Sequence, residues 1–314
     1  MSLYDQFKAG SLVALSKIIS HIENDADGSR ELMPLLYRSG GNIYRIGVTG
    51  PPGAGKSSLV NRLAAILANQ GHRVAVICVD PSSPFTGGAL LGDRLRMQDI
   101  PQDKGVYIRS MGSRGSTGGL AAATSNVAVA LDAFGFDVVI IETVGVGQME
   151  LDIIDACDTV VVTLVPESGD GIQALKAGLM EIADIFAVNK ADRPGADQMV
   201  YDLNSALEMK AEKSAWAIPV IATEAVNNKN IDELYNQIEK HKTYLETTGH
   251  LTRKRAAQLK KKIEQVILHS VRHEINQTLL TETAIDEIVG RIMKGDDDPY
   301  SCGKRLYEQF KLDS

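Results

Sequence analysis

One short stretch, Gly50–Ser58, "GPPGAGKSS", restricts what this chain can fold into more than any other. Ile43 to Thr49 form an apolar run of strand length bounded by Gly41 and Gly50, and Leu59 to Leu67 repeat apolar residues at helical spacing. The glycines therefore join the end of a strand to the start of a helix. In the pattern GxxxxGK followed by Ser or Thr, flexible backbone at Gly50, Gly53 and Gly55 lets successive N–H groups curl around phosphate oxygens at the positive end of the helix. Lys56 then reaches the terminal phosphates, and the Ser57 hydroxyl can ligate Mg²⁺, which prefers oxygen donors. Gly53, Ala54, Gly55, Lys56, Ser57 and Ser58 make up the expected phosphate cradle.

The rest of the chain supplies the sheet that such a loop needs. Residues 72–80, 105–110, 136–143, 158–165, 185–189 and 217–223 are short, β-branched and apolar, as expected of strands covered on both faces. Helical patterns at 118–134, 171–182 and 195–210 lie between them, so the fold class is α/β: a P-loop NTPase with a mainly parallel β-sheet sandwiched by helices, plus helical extensions at both ends. The expected division is a helical extension over 1–40, a nucleotide-binding domain over 41–248 and a helical extension over 249–314. From Arg253 to about Leu280, the residues Leu259, Ile263, Val266, Ile267 and Val271 form an apolar stripe, suited to docking on the chain's own core or to a dimer contact. The string "RKRAAQLKKK" at its start reads as a solvated helix face. His269 and His273 have no third ligand nearby to complete a metal site.

A second motif selects the base. Asn189, Lys190 and Asp192, in "FAVNKAD", follow a strand about 130 residues after the phosphate loop. A carboxylate at Asp192 can accept two hydrogen bonds from the guanine N1–H and exocyclic amine, and adenine offers no such pair. The loop "ATEA" at 222–225 is where guanine-binding proteins use a Ser-Ala turn to meet the base through a backbone N–H. Here Glu224 and Ala225 occupy it, with glutamate where serine is expected. Asp80 ends one strand, Asp93 lies in a glycine-rich loop and Glu142 closes another strand. Ligands in parallel α/β sheets bind beyond the carboxyl ends of the strands, so these three carboxylates are candidates for Mg²⁺ and the terminal phosphate.

Bulk properties exclude other classes. The formal net charge of −7 argues against a general nucleic-acid binder, and no apolar run approaches the roughly 18 residues of a membrane span. Cys78, Cys157 and Cys302 are odd in number and widely spaced, which suits reduced thiols. With no signal-peptide pattern, the expected location is the cytoplasm, or the mitochondrial matrix in a eukaryote.

The segments "GVTGPPGAGKSSL", "VDPSSPFTGGALLGDRLRM", "SMGSRGSTGGLA", "IIETVGVGQ", "ESGDGIQALKAGLMEIADIFAVNKAD" and "DDPYSCGKRL" together resemble the methylmalonyl-CoA mutase-associated GTPases, the MeaB or ArgK family, over nearly the whole chain. The resemblance implies a homodimer built through the C-terminal extension. It also implies a partner, an adenosylcobalamin-dependent acyl-CoA mutase, whose cofactor loading is gated and which is protected through binding and hydrolysis of GTP to GDP. It places Lys56, Asp80, Asp93 and Glu142 at the family's nucleotide and Mg²⁺ positions, Ser57 with them, and makes Pro166–Lys176 a loop that couples nucleotide state to the mutase. In Ras-like proteins a glutamine directly follows the DxxG glycine, but Gly145 is followed by Val146, and Gln148 is the nearest glutamine. Slow intrinsic turnover, raised by a partner, is the expectation, with the glycines around 87–92 and 112–119 serving loops that respond to the third phosphate. The competing classes are a nickel-type metallochaperone GTPase, which should cluster Cys and His near those loops, and a P-loop kinase, which needs an acceptor pocket.

Overall fold

The structure, a computed structural model, describes residues 2–24, 29–80, 105–112, 119–143, 155–166, 178–210, 215–280 and 282–313. Among the described residues, seven strands form one sheet: β1 (Tyr44–Thr49), β2 (Val74–Asp80), β3 (Tyr107–Gly112), β4 (Val138–Thr143), β5 (Thr159–Leu164), β6 (Ile185–Val188) and β7 (Val220–Ala222). Their order is β3-β2-β4-β1-β5-β6-β7, and every neighbouring pair is parallel. All residues of β4, β5 and β6 are buried, which is why these segments read as unbroken apolar runs rather than alternating ones.

Alternate residues still go to opposite faces, and two apolar cores result. On one face Ile46, Val48, Val76, Ile140 and Val161 pack with Leu59, Val60, Leu63 and Leu67 of α4 (Lys56–Asn69). Ile231, Leu234 and Ile238 of α8 (Ile231–Thr247) join the same core. On the other face Ile77, Val79, Val139, Ile141, Val160 and Phe186 pack with α5 (Gly119–Phe134) and α7 (Ala196–Lys210). Three N-terminal helices, α1 (Leu3–Lys8), α2 (Leu12–Glu23) and α3 (Ser29–Ser39), contribute Phe7, Leu15, Ile18, Ile19 and Leu36 to that second core. One or two short helices were expected there. Ser2 and Ser11 start the first two by accepting from Asp5 N and Ala14 N at 3.1 and 3.3 Å, and the turn at Ala9–Gly10 separates them.

Other boundaries moved as well. Strand β3 runs two residues beyond its apolar pattern, and β7 keeps only three of the seven residues expected there. Of the helical pattern at 171–182, the part within the described residues is α6 (Leu179–Ile182). Helix α8 is not foreshadowed above, because its apolar positions are diluted by charge. Its apolar positions nevertheless fall on one face at helical spacing, and Ile231, Leu234 and Ile238 bury that face against the sheet.

The described chain divides into two compact units, Met1–Gln258 and Leu259–Ser314, and the division falls inside α9 (His250–Thr278). Within the first unit, the opening turns of α9 are anchored by a buried carboxylate. Asp158, fully buried ahead of β5, accepts from Arg45 Nη2 at 2.7 Å and Nε at 3.2 Å, and from Arg255 Nη2 at 2.8 Å and Nε at 3.1 Å. Burial alone would raise this carboxyl, yet the hydrogen bonds from Arg255 and the Arg45 charge hold it below its ordinary value. Lys254 donates to Asp158 O at 2.8 Å. Two cations of the string expected to be a solvated face are thus internal struts. Among the described residues no helix is long and apolar enough to cross a membrane.

Within Leu259–Ser314, the rest of α9 is followed by α10 (Glu282–Met293) and α11 (Pro299–Asp313). The Asp297 carboxylate takes both Arg291 and Arg305; hydrogen bonding from Cys302, then from Asp298 N and Arg305, holds its pKa down to about 2. Asp298 starts α11 by accepting from Tyr300 N at 3.0 Å and Ser301 N at 2.9 Å. Ile263, Val266, Ile267, Leu268, Val289 and Met293 are exposed on this unit.

Candidate nucleotide site

The loop between β1 and α4 sits beyond the carboxyl end of the sheet's central strand, and two of its glycines are compelled by their surroundings. Gly50 has φ 134°, and a Cβ there would lie 2.0 Å from Thr163 O on β5. Gly55 has φ 84°, and its Cβ would meet Asn189 Nδ2 at 2.3 Å. Any side chain at either position would be strained and would collide with backbone or with a buried amide. Gly55 also precedes α4 without a side-chain cap, so the first N–H groups of the helix, at Lys56, Ser57 and Ser58, keep their helix-terminal character.

Lys56, 6 % exposed, folds back over this loop, with Nζ donating to Gly50 O at 2.7 Å and Pro51 O at 2.9 Å. These contacts hold a full positive charge against the curled backbone. One residue on, Ser57 Oγ donates to Glu142 Oε1 at 2.6 Å. Glu142 is buried in β4 next to its last residue, Thr143, whose hydroxyl donates to Thr49 Oγ1 at 2.9 Å and ties the ends of β4 and β1 together. A hydroxyl and a carboxylate in contact beside a phosphate-type loop form a hard-oxygen donor set, which fits Mg²⁺. Asp80 ends β2 with its backbone opposite Gly112 of β3. Its side chain lies outside the described residues. Asp93, Gln148, the glycines of 87–92, residues 113–118 and residues 167–176 of the Pro166–Lys176 segment lie outside the described residues.

The Asn189–Asp192 motif, expected to select the base, converges on the same loop from β6. Asn189, 2 % exposed, donates from Nδ2 to Ala54 O at 2.8 Å, while its Oδ1 accepts from Ala225 N at 3.1 Å and Thr223 Oγ1 at 3.3 Å. One side chain thereby joins the phosphate loop, the end of β6 and the loop after β7. Lys190 has φ 57° and starts a turn closed by Arg193 N donating to Lys190 O at 3.0 Å, which leaves the Asp192 carboxylate exposed at its tip. Ala191 N donates to Thr223 O at 3.0 Å, so this turn and the 222–225 loop are held in register.

That second loop differs from the sequence expectation. The Ala225 N–H, expected toward a base, is taken by Asn189 Oδ1. The Glu224 side chain is taken up by its own turn: Oε2 accepts from Asn227 Nδ2 at 2.9 Å and Oε1 from Lys229 Nζ at 2.6 Å. Hydrogen bonding from Asn227 and then Lys229 lowers the Glu224 pKa, and the same contact raises that of Lys229. Thr49, Thr143, Asn227 and Lys229 had no motif to announce them. Their one sequence signal is position, at or just past the ends of strands.

The family described as Methylmalonyl Co-A mutase-associated GTPase MeaB matches residues 15–279. A protein of Pyrococcus abyssi, named as a candidate GTPase, is 44% identical over 311 residues, covering 98% of this chain and 96% of its own. The mouse protein named methylmalonic aciduria type A homolog, mitochondrial, is 31% identical over 327 residues, covering 98% of this chain and 79% of its own. Among solved structures, one described as a LAO/AO transport system kinase superposes with a TM-score of 0.71 at 25% identity, over 98% of this chain and 96% of that one. With the family match spanning most of the chain, the phosphate loop built on β1 and the Asn189 brace beside it sit in a P-loop protein that belongs to the MeaB family of methylmalonyl-CoA mutase-associated GTPases.

Proposed function

We propose that this chain binds GTP and GDP at the loop between β1 and α4, hydrolyses GTP to GDP and phosphate, and uses the nucleotide state to assist an adenosylcobalamin-dependent acyl-CoA mutase of the methylmalonyl-CoA type. The assistance consists of gating cofactor loading and protecting the mutase. The observation that carries the reading is the Asn189 side chain, which binds the phosphate-loop carbonyl of Ala54 and the base-loop amide of Ala225 at once. A nucleotide spanning phosphate loop and base turn would meet both ends of one buried brace.

In this reading the backbone N–H groups of Gly53, Ala54 and Gly55 and the start of α4 at Lys56, Ser57 and Ser58 cradle the phosphates. Lys56 stabilises charge building on the transferred group, and the Asp192 carboxylate takes the guanine edge from its turn at Lys190. Ser57 and Glu142, with Asp80 and Asp93, would hold Mg²⁺, which supplies charge neutralisation on the phosphate oxygens. Phosphoryl transfer to water requires mostly positioning, so turnover is slow in the isolated protein and rises when the mutase orders the surrounding loops. Residues 249–314 act as the dimerisation extension, for which the exposed Ile263, Val266, Ile267 and Leu268 supply an apolar surface. The setting is the cytoplasm or the mitochondrial matrix.

The test has two parts. Radiolabel from γ-labelled GTP should appear only as free phosphate, faster when a cognate mutase is added. The mutase retained by the immobilised protein should differ in amount between GDP and a GTP analogue. Label transferred to a third molecule would replace this reading with a kinase, and equal rates and equal retention would remove the mutase from it.

A further inference from the structure

The loop after β7 carries a glutamate where a guanine-binding loop carries serine, and a carboxylate is a poor neighbour for that base. Guanine presents a carbonyl oxygen at C6, an acceptor, so a second carboxylate nearby would repel the edge that Asp192 is placed to attract. The structure shows what becomes of this charge. Glu224 and Lys229 pair through their backbones in both directions, Glu224 N to Lys229 O and Lys229 N to Glu224 O, each at 3.1 Å. Asn228 and Asn230, with φ of 54° and 58°, shape the turn so closed. Inside it the Glu224 carboxylate, about one-tenth exposed, takes Lys229 Nζ at 2.6 Å and Asn227 Nδ2 at 2.9 Å. The two residues on either side are already committed, Thr223 to Asn189 Oδ1 and Ala191, and Ala225 to Asn189 Oδ1. Glu224 therefore lies in the middle of the base loop with both oxygens turned onto its own turn. The field of Asp192 also reaches the Lys229 ammonium.

We infer that Lys229 is a positioning residue for guanine recognition: it clasps Glu224, cancels its charge and keeps the base loop in register with Asn189, so that Asp192 is the carboxylate left to meet the base. Lys229 acts through Glu224 and through the loop. The Lys229 side chain is two-thirds exposed and so contributes little packing to the fold, whereas the Glu224 side chain is about nine-tenths buried and depends on its partners. Glutamate and lysine at these two places form a unit that replaces a neutral serine, in which the glutamate is harmful without the lysine.

This inference rests on the guanine-binding reading above, and a double-mutant cycle separates the two. GDP affinity is measured by calorimetry on the full chain for the wild type, Lys229→Met, Lys229→Arg, Glu224→Ser and the double variant, with thermal midpoints recorded alongside. Lys229→Met should weaken GDP binding about tenfold, the scale of one lost charge-assisted hydrogen bond, without moving the thermal midpoint by more than a degree or two. Lys229→Arg should retain affinity to within about threefold, because the charge persists. Glu224→Ser should bind about as well as wild type, and adding Lys229→Met to it should cost little more, since the lysine then has no carboxylate to clasp. A merely structural lysine would lose as much in the double variant as alone, and that result, or an unchanged affinity for Lys229→Met, overturns the inference. Asp192→Asn provides the independent control. If it leaves GDP affinity intact, the guanine-binding reading fails; if it abolishes GDP binding while Lys229→Met does nothing, only the clasp fails.

Discussion

Replacing Asn189 by alanine tests the central brace of the site, and the structure sets its cost. The side chain removed is 2 % exposed and makes three hydrogen bonds, to Ala54 O, Ala225 N and Thr223 Oγ1 at 2.8, 3.1 and 3.3 Å. The Thr223 hydroxyl can rotate toward another acceptor, but Ala54 O and Ala225 N are backbone groups with fixed directions. Each buried polar group left unmatched costs about 1–3 kcal/mol. The vacated volume, three heavy atoms between polar walls, admits a water that recovers part of this, which leaves a net loss of about 2–4 kcal/mol. Urea unfolding followed by the fluorescence of Trp216 reads the effect in the first unit. This sole tryptophan donates to Asp184 O at 2.9 Å and packs 4.7 Å from the His241 ring. The same variant should lose GDP affinity, because the phosphate loop and base loop are no longer joined. Asn189→Asp sharpens the test: it keeps the acceptor for Ala225 N but sets a carboxylate against Ala54 O. That carboxyl has a raised pKa in the fold, so this variant's deficit should shrink as pH falls and the protonated acid regains a donor. An alanine variant within about 0.5 kcal/mol of wild type, with unchanged GDP binding, would refute the account.

Three further outcomes follow from the same contacts. Gly50→Ala should abolish nucleotide binding or cost several kcal/mol, about 3 or more, because a Cβ would sit 2.0 Å from Thr163 O at a φ of 134°, readable by calorimetry with GDP and by thermal melting. Asp158→Ala should destabilise the first unit by about 3–5 kcal/mol by leaving Arg45 and Arg255 without their carboxylate, as measured by urea unfolding. In the wild type the folded pKa of Asp158 lies below its unfolded value of 3.8, so its contribution is fully present above that pH and lost as pH falls through the folded pKa; a melt series from pH 6 to pH 2 checks this. Ser57→Ala should leave GDP binding without Mg²⁺ largely intact and remove most of the Mg²⁺-dependent gain, about tenfold or more, seen by titrating the metal against fixed nucleotide.

Much of this molecule is legible along the chain because its information is local. A strand, three glycines, a lysine and a helix adjoin in sequence, so "GPPGAGKSS" specifies both the turn and the chemistry with no distant contact. Buried parallel strands likewise announce themselves as apolar runs, since both faces are covered. The less legible elements depend on partners: the charge-diluted apolar stripe of α8 is buried by the sheet, and β7 pairs with β6 only over Val220–Ala222, so that its strand starts three residues later than its apolar pattern.

At the site the division is the same. Asn189, Asp192, Ser57 and Glu142 are marked by motif or by strand end, yet the Ser57–Glu142 and Asn189–Ala54 contacts are made across 85 and 135 residues of sequence. That Asn189 braces two loops, that Glu224 is clasped by Lys229, and that Lys254 and Arg255 serve Asp158 rather than solvent are properties of the folded chain. The residues alone determined that a phosphate loop would sit on a parallel sheet, and they marked Asp192 as the carboxylate proposed to read the base. Only the tertiary structure decided which polar groups are satisfied by the protein itself and which remain for a ligand, because hydrogen-bond partners are assigned by proximity in space, and a one-dimensional pattern of types and spacings does not encode that proximity.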